Sequence, residues 1–359
     1  MTTSAVSDHP WPRLGLRRFS LAALIGLLAM LFLLSLAVGS VQIPLDNVLR
    51  ILVGGAPDRA TWADIVLKFR LPKALTATLS GAALAISGLQ MQTLFRNPLA
   101  DPYTLGVSSG ASLGVALVVL GIGATGSLLV SGLGLMGDLG LAAAAGLGAA
   151  FTLLAILVVA RRVQNTITLL ILGLMFGYLT SALVSLLIYF SLPERIQSFV
   201  LWSAGSFSGV TWSQMRIFAP TLVIGLTIGA LMSKTLNALL LGETYARTLG
   251  LNVRRAQVWL IVSASLLAGA VTAFCGPVGF LGVAVPHLCR SLFNTADHRV
   301  LIPTSMLLGG CLALVADLIA QMPGSQYVLP LNVITALFGV PVVVWVILRQ
   351  RQMKAAFAG

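Results

Sequence analysis

Residues 19–39 read FSLAALIGLLAMLFLLSLAVG, twenty-one residues without a charge. At about 1.5 Å of rise per residue, a helix of that length crosses a hydrocarbon core about 30 Å thick. The run is longer than the roughly 7–15 apolar residues of a secretory leader. Although Arg13, Arg17 and Arg18 precede it, it reads as a retained first helix. The rest of the chain has the same character: of 359 residues, 58% are hydrophobic and 9% charged, where a soluble domain carries roughly 25% charged. That leaves too little polar surface to coat a water-soluble body of this size. The fold class expected is an all-α polytopic membrane protein.

Hydropathy places spans near 19–39, 71–95, 103–123, 139–160, 167–190, 216–233, 256–274, 278–293, 300–320 and 329–348. The count is ten. Two divisions rest on breaker residues, Asn-Pro and Asp-Pro within 96–102 and Cys-Gly-Pro at 275–277, and without them the count falls to eight or nine. With ten spans both termini share a side. That side collects 15 of the 22 Lys and Arg residues and the other side 7, which assigns the termini to the cytoplasm. The net charge of +12 is thereby read as cytoplasmic loop charge rather than a nucleic-acid footprint.

Three loops are long. The external stretch 40–70 carries Asp46, Asp58 and Asp64. The external stretch 191–214 has Trp202 and Trp212 suited to the headgroup layer, and ERIQSFVLW within it suits a short interfacial helix. The internal loop 233–257 reads SKTLNALLLGETYARTLGLNVRRAQ. Glycines recur four apart at Gly106/Gly110/Gly114, with Ser108 and Ser109 between the first two, and at Gly173/Gly177 and Gly225/Gly229. Such spacing lets helix backbones approach closely.

Chemistry is sparse. The four lysines follow Leu, Pro, Ser and Met, so there is no phosphate-binding GK[ST] loop. No HExxH or GxSxG occurs, and Cys275, Cys289 and Cys311 have no metal-ligand spacing. No metal site and no catalytic residue are expected. Asp317 is the one acid well inside an apolar run and His287 lies in another, neither with a partner evident in the sequence. A lone acid is thin support for an ion-coupled transporter. A structural role for it is the simpler reading.

Six segments stand in order from about residue 69 to 347: RLPKALTATLSGAALAISGLQMQTLFRNPLADPYTLGVSSGASLG, LGETYARTLGLNV, GPVGFLGVAVPHLCR, DHRVLIP, LVADLIA and LPLNVITALFGVPVVVWVI. Together, and in that order, they resemble the permease subunits of the FecCD family of type II ABC importers, which take up ferric siderophores, haem and cobalamin. The resemblance implies a single permease domain over 1–359, with 1–18 as a cytoplasmic tail, in the bacterial inner membrane. It implies a homodimer working with two cytoplasmic ATPase subunits and a periplasmic binding protein. ATP and Mg would be used by the ATPase partner, with no cofactor bound by this chain. The cargo implied is a ferric siderophore first, with haem or cobalamin close behind.

Site roles follow from the same resemblance. The loop 233–257 would couple to the ATPase through Gly242, Glu243, Ala246, Leu249 and Gly250, and Leu241 and Tyr245, four apart, would fit a groove on that partner. Arg70 and Lys73 would meet acids on the binding protein. A further basic position of the family is Gln321 here, so steering by charge would lean on Arg50 or Arg59. A cytoplasmic gate would be formed by Asn97 and Leu99 in one turn and Thr166 and Ile167 in another, and its apolar members could shut by excluding water.

Overall fold

A computed structural model describes residues 14–120, 135–160, 166–322 and 328–357. These are helical, with no strand among the described residues. The expected tail 1–18 lies largely outside them.

The first helix, α1 (Leu14–Ala37), matches the opening apolar run. Two short helices, α2 (Leu45–Leu52) and α3 (Ala60–Asp64), follow it. Asn47 of α2 pins the link between them, its side-chain amide donating to Asp58 Oδ2 at 2.9 Å and its Oδ1 accepting from Asp58 N at 2.9 Å. A π-helical turn, Ile65–Arg70, leads into α4 (Leu71–Leu94). Pro72 has no N–H to offer the Lys68 carbonyl, and the wider turn absorbs that missing bond. The span expected at 71–95 thus begins earlier, as a continuous helix over Ala60–Leu94.

The chain then makes a 3₁₀ turn (Pro102–Leu105) into α5 (Val107–Val119). Next come α6 (Leu135–Ala160), α7 (Thr166–Tyr189), α8 (Pro193–Ser203) and α9 (Trp212–Leu231). Two short helices, α10 (Ser233–Leu240) and α11 (Glu243–Thr248), form the loop expected at 233–257. The last four are α12 (Val253–Cys275), α13 (Leu281–Phe293), α14 (His298–Ala320) and α15 (Leu331–Phe357). Seven of the expected spans are helices long and apolar enough to cross a membrane, and the other three coincide with shorter apolar helices, Val107–Val119, Leu281–Phe293 and Leu331–Val344. The span expected at 103–123 differs most: it starts with a 3₁₀ turn and a left-handed Gly106, so only its later part is α-helix.

α4 is the axis of the bundle. Every residue from 80 to 94 is buried, as expected for a helix that is apolar or small on all faces. It packs against α14, α12, α13 and α9. Two glycine contacts set the closest approaches: a methyl group at Gly81 would collide with the Gly309 carbonyl of α14, and one at Gly88 with the Gly282 carbonyl of α13. The expected stripe on α5 is used in the same way, Gly110 and Gly114 lying against Gly148 and Ala144 of α6. Small residues that bring backbones together are a main source of adhesion where lipid is as apolar as the side chains.

Candidate functional site

At one end of the bundle α4 closes in a turn built from its own sequence. Arg96 N–H donates to Thr93 O at 3.3 Å and Asn97 N–H to Gln92 O at 3.2 Å, the paired bonds of a helix C-terminal cap. The cap needs a left-handed residue, and Arg96 supplies it at φ 47°, a conformation that costs a non-glycine side chain about 1–2 kcal/mol. Asn97 Oδ1 then accepts from Leu99 N at 3.0 Å, and Leu99 stands 45% exposed. His287 of α13 donates from Nε2 to Pro98 O at 2.7 Å. The histidine left without a partner in the sequence therefore clamps this turn.

Beneath the turn, Pro286 lacks the N–H that would reach Gly282 O, and Gln92 Nε2 serves that carbonyl at 3.4 Å and Val283 O at 3.3 Å. Arg290 Nη1 donates to Gln92 Oε1 at 2.6 Å. The chain after the turn runs back into the bundle: Pro102 rests against Gly282, and the Tyr103 hydroxyl accepts from Val278 N at 3.2 Å. Non-helical backbone at such a place is tolerated because protein, not lipid, surrounds it.

The loop 233–257 is not one amphipathic helix. Gly242, at φ 116°, splits it into α10 and α11, so Leu241, in the turn after α10, shares no helical face with Tyr245 of α11 although the two are four apart in sequence. Both are nonetheless exposed, with Leu240 and Leu249. Tyr245 and Leu249 are the pair that share a helical face. Gly250, at φ 82°, caps α11, its N–H donating to Arg247 O at 3.0 Å while Leu251 N–H reaches Ala246 O at 3.0 Å. Ala246 is fully buried beneath, and Glu243 accepts from Gln257 Nε2 at 3.3 Å. The five expected coupling residues thus shape a hydrogen-bonded platform, on which Leu249 joins Leu240, Leu241 and Tyr245 in an exposed apolar patch.

That platform is bonded to the turn. Arg96 Nη2 donates to Leu239 O at 3.4 Å. His298, fully buried at the start of α14, stands between Thr93 Oγ1 at 2.9 Å from Nε2 and Asn237 Oδ1 at 2.8 Å from Nδ1. Asn237 Nδ2 donates to Asp297 Oδ1 at 2.7 Å, and Asp297 caps α14 by accepting from Arg299 N at 2.9 Å. Burial pushes the Asp297 carboxyl up, but the hydrogen bonds from Arg299 N–H and Asn237 and the nearby Arg299 charge outweigh it and hold it below the usual range.

At the opposite end the two expected docking cations face inward. Arg70 is 9% exposed. It donates to Leu36 O at 2.8 Å and to Ala37 O at 2.9 Å, the last carbonyls of α1, and to Val41 O in the segment that follows. Lys73 Nζ pairs with Asp317 Oδ2 at 3.2 Å, and Gln321 Nε2 donates to the same oxygen at 2.7 Å. The cations exposed nearby are engaged at the surface, Arg50 with Asp46 and Asp58, Lys68 with Asp64, and Arg59 over the Trp62 ring. Of the second expected gate pair, Thr166 opens α7, and the side chains of Thr166 and Ile167 lie outside the described residues. Ser108 and Ser109 of α5 are half-buried, Ser109 within reach of Gly177 on α7.

The chain matches the FecCD transport family over residues 27–349. It belongs to that family. FecCD relatives include the hemin transport system permease protein of Yersinia pestis, 37% identical over 91% of this chain and 96% of that one. A vitamin B12 import system permease protein of Klebsiella pneumoniae is 38% identical over 80% of this chain and 83% of its own. Among solved structures, an inward-facing chain described as a metal-chelate type ABC transporter superposes with a TM-score of 0.78 at 29% identity, covering 92% of this chain and 99% of that one.

Reading this FecCD sequence alone missed Thr93, Gln92, Asn237, Asp297, His298 and Arg290. The segment DHRVLIP stood among those carrying the resemblance, yet no role attached to its first two residues. The signal was available: a cap-forming Asp followed by His, at the start of an apolar run, is a polar pair placed where it must be buried or solvated.

Proposed function

We propose that this chain is the membrane permease of an ABC importer, crossing the inner membrane ten times with both termini in the cytoplasm. It works as a homodimer with two cytoplasmic ATPase subunits and an external binding protein. Its cargo is a bulky iron chelate, a ferric siderophore or haem, with cobalamin as the alternative on the same machinery. The observation that carries this reading is the platform of α10 and α11. It presents Leu240, Leu241, Tyr245 and Leu249 to a partner while its underside is packed and hydrogen-bonded to the turn 96–100. An exposed apolar patch on a rigid support is the form of a docking site. The hemin and vitamin B12 relatives support testing haem and cobalamin beside a ferric siderophore.

In this scheme Asn97 and Leu99 form the cytoplasmic gate together with Thr166 and Ile167. Gly242, Glu243, Ala246, Leu249 and Gly250 set the coupling surface. Arg70 and Lys73 serve docking of the binding protein indirectly. They hold α1, α4 and α14 beneath the surface helices that carry Arg50, Arg59 and Lys68. The test is substrate-specific: proteoliposomes containing the permease, its ATPase and its binding protein are offered haemin, a ferric siderophore or cobalamin. Saturable uptake of an iron chelate is expected. Uptake of cobalamin alone contradicts the iron assignment, and uptake of none contradicts the importer reading.

A further inference from the structure

The bonds joining the α10–α11 platform to the end of α4 form a chain whose polarity is set from Asp297 as far as the His298 ring. Asp297 can only accept, so the Asn237 amide must turn its Nδ2 toward the carboxylate. That leaves Asn237 Oδ1, an acceptor, facing His298 at 2.8 Å, and His298 Nδ1 must therefore carry a proton. In neutral His298 the remaining nitrogen, Nε2, is an acceptor 2.9 Å from the Thr93 hydroxyl, whose one proton is shared between that nitrogen and Leu89 O, also at 2.9 Å. Each partner of the ring comes from a different element: Asn237 from α10, Thr93 from α4, and the ring itself from α14. Thr93 is 2% exposed and His298 fully buried, so water cannot replace a bond that breaks. A shift of α10 against α4 would leave a ring nitrogen buried without a partner.

A second link runs in parallel. Leu236 and Leu239 of α10 are buried, and the Arg96 side chain lies against Leu239 O and within 3.4 Å of the position a Gly242 side chain would take. Arg96 is also the left-handed residue that shapes the turn leading to Asn97 and Leu99. Displacement of the platform is therefore delivered to the turn through its own capping residue and through Thr93, three residues earlier. Loops joined only by solvent would absorb such a displacement.

We propose that Thr93, Asn237 and His298 are positioning residues that make the partner-docking platform and the turn 96–100 move as one body, so that they set how tightly ATP hydrolysis is coupled to cargo passage. This rests on the reading of the chain as an ABC importer permease. Networks of this kind modulate coupling between sites by factors of about 2 to 30.

The test uses the complete importer, permease with ATPase and binding protein, in proteoliposomes, reading haemin, siderophore or cobalamin uptake and ATP hydrolysis together. Thr93→Val removes the hydroxyl at nearly constant volume, and His298→Gln breaks the double contact. Both are expected to assemble with the ATPase and to hydrolyse ATP. Uptake per ATP should fall about 2- to 30-fold, and Thr93→Ser should restore it. Unchanged uptake per ATP in assembled variants overturns the proposal. So does a loss of uptake matched by equal losses of ATP hydrolysis and assembled complex, which is the signature of a merely structural role. If His298→Gln lowers the yield, Thr93→Val against Thr93→Ser decides alone. A wild-type complex that takes up no chelate contradicts the importer reading instead.

Discussion

Lys73 Nζ sits 3.2 Å from Asp317 Oδ2, with the two side chains only 14% and 6% exposed. The acid that looked isolated in the sequence is thus half of a pair joining α4 to α14, with Gln321 donating to the same oxygen. Removing one member leaves an uncompensated buried charge, at a cost of about 3–5 kcal/mol. Asp317→Asn and Lys73→Met alone should each lower the midpoint of thermal unfolding in detergent, and the double variant should recover much of the loss. Additive losses would mean that the pair is not coupled. Asp317→Asn should also retain ATP-dependent uptake, as an ion-coupled carrier would not.

Arg70 separates charge from geometry. Lysine keeps the charge but cannot fan across three carbonyls. Arg70→Lys is expected to cost about 2 kcal/mol or more in stability, because the carbonyls of Leu36, Ala37 and Val41 lose bonds from a charged donor. Retained stability with weakened binding-protein affinity would instead give Arg70 a direct outward role.

The glycine contact at the bundle axis gives a packing test. Gly88→Ala drives a methyl into the Gly282 carbonyl and should cost about 1–3 kcal/mol. Gly26→Ala meets open space on α1 and should be neutral or stabilising by up to about 1 kcal/mol. Equal responses at the two sites would contradict the close approach of α4 and α13.

Those glycines also mark what a sequence can disclose. Repeats within one helix, such as Gly110/Gly114, announce themselves by spacing, although Gly106, the first of the expected series, stands ahead of α5 in a left-handed turn. Gly81 against Gly309 and Gly88 against Gly282 do not, because each partner lies on another helix. Apolar runs located the helices well, since crossing length and hydropathy are properties of one segment. Partnership is a property of two. The same limit hid the Lys73–Asp317 pair and the His287–Pro98 clamp, and it made Arg70 look like a surface cation. The breaker residues told more: Asn-Pro at 97–98 correctly predicted a turn, whereas the re-entry of Pro102 and Tyr103 into the bundle depends on contacts with Val278 and Gly282.

At the turn itself, Asn97 and Leu99 should behave differently. Asn97→Ala removes the acceptor for Leu99 N–H and should loosen the turn, whereas Asn97→Asp keeps it. Leu99→Ala trims an exposed side chain at little cost in stability, so a gate role predicts leak of cargo without ATP from loaded proteoliposomes. Normal retention of cargo by Leu99→Ala would remove it from the gate.

Asp297 gives the relay a pH signature. Its folded pKa lies below the ordinary carboxylate value of about 3.9, so its contribution to stability is full above that value and is lost as pH falls through the folded pKa. The groups facing it are Asn237 of α10 and His298 and Arg299 of α14. The stability difference between wild type and Asp297→Asn should stay constant from pH 7 to 5 and shrink only below about pH 4. A difference that already shrinks between pH 7 and 5 would contradict the hydrogen-bonded anion.

The most direct test of the account is accumulation of an iron chelate by proteoliposomes containing this chain with and without its ATPase subunits. The permease alone should accumulate nothing above equilibrium. Permease, ATPase, binding protein and ATP together should concentrate the chelate. Concentrative uptake by the permease alone, driven by an ion gradient, would contradict the account.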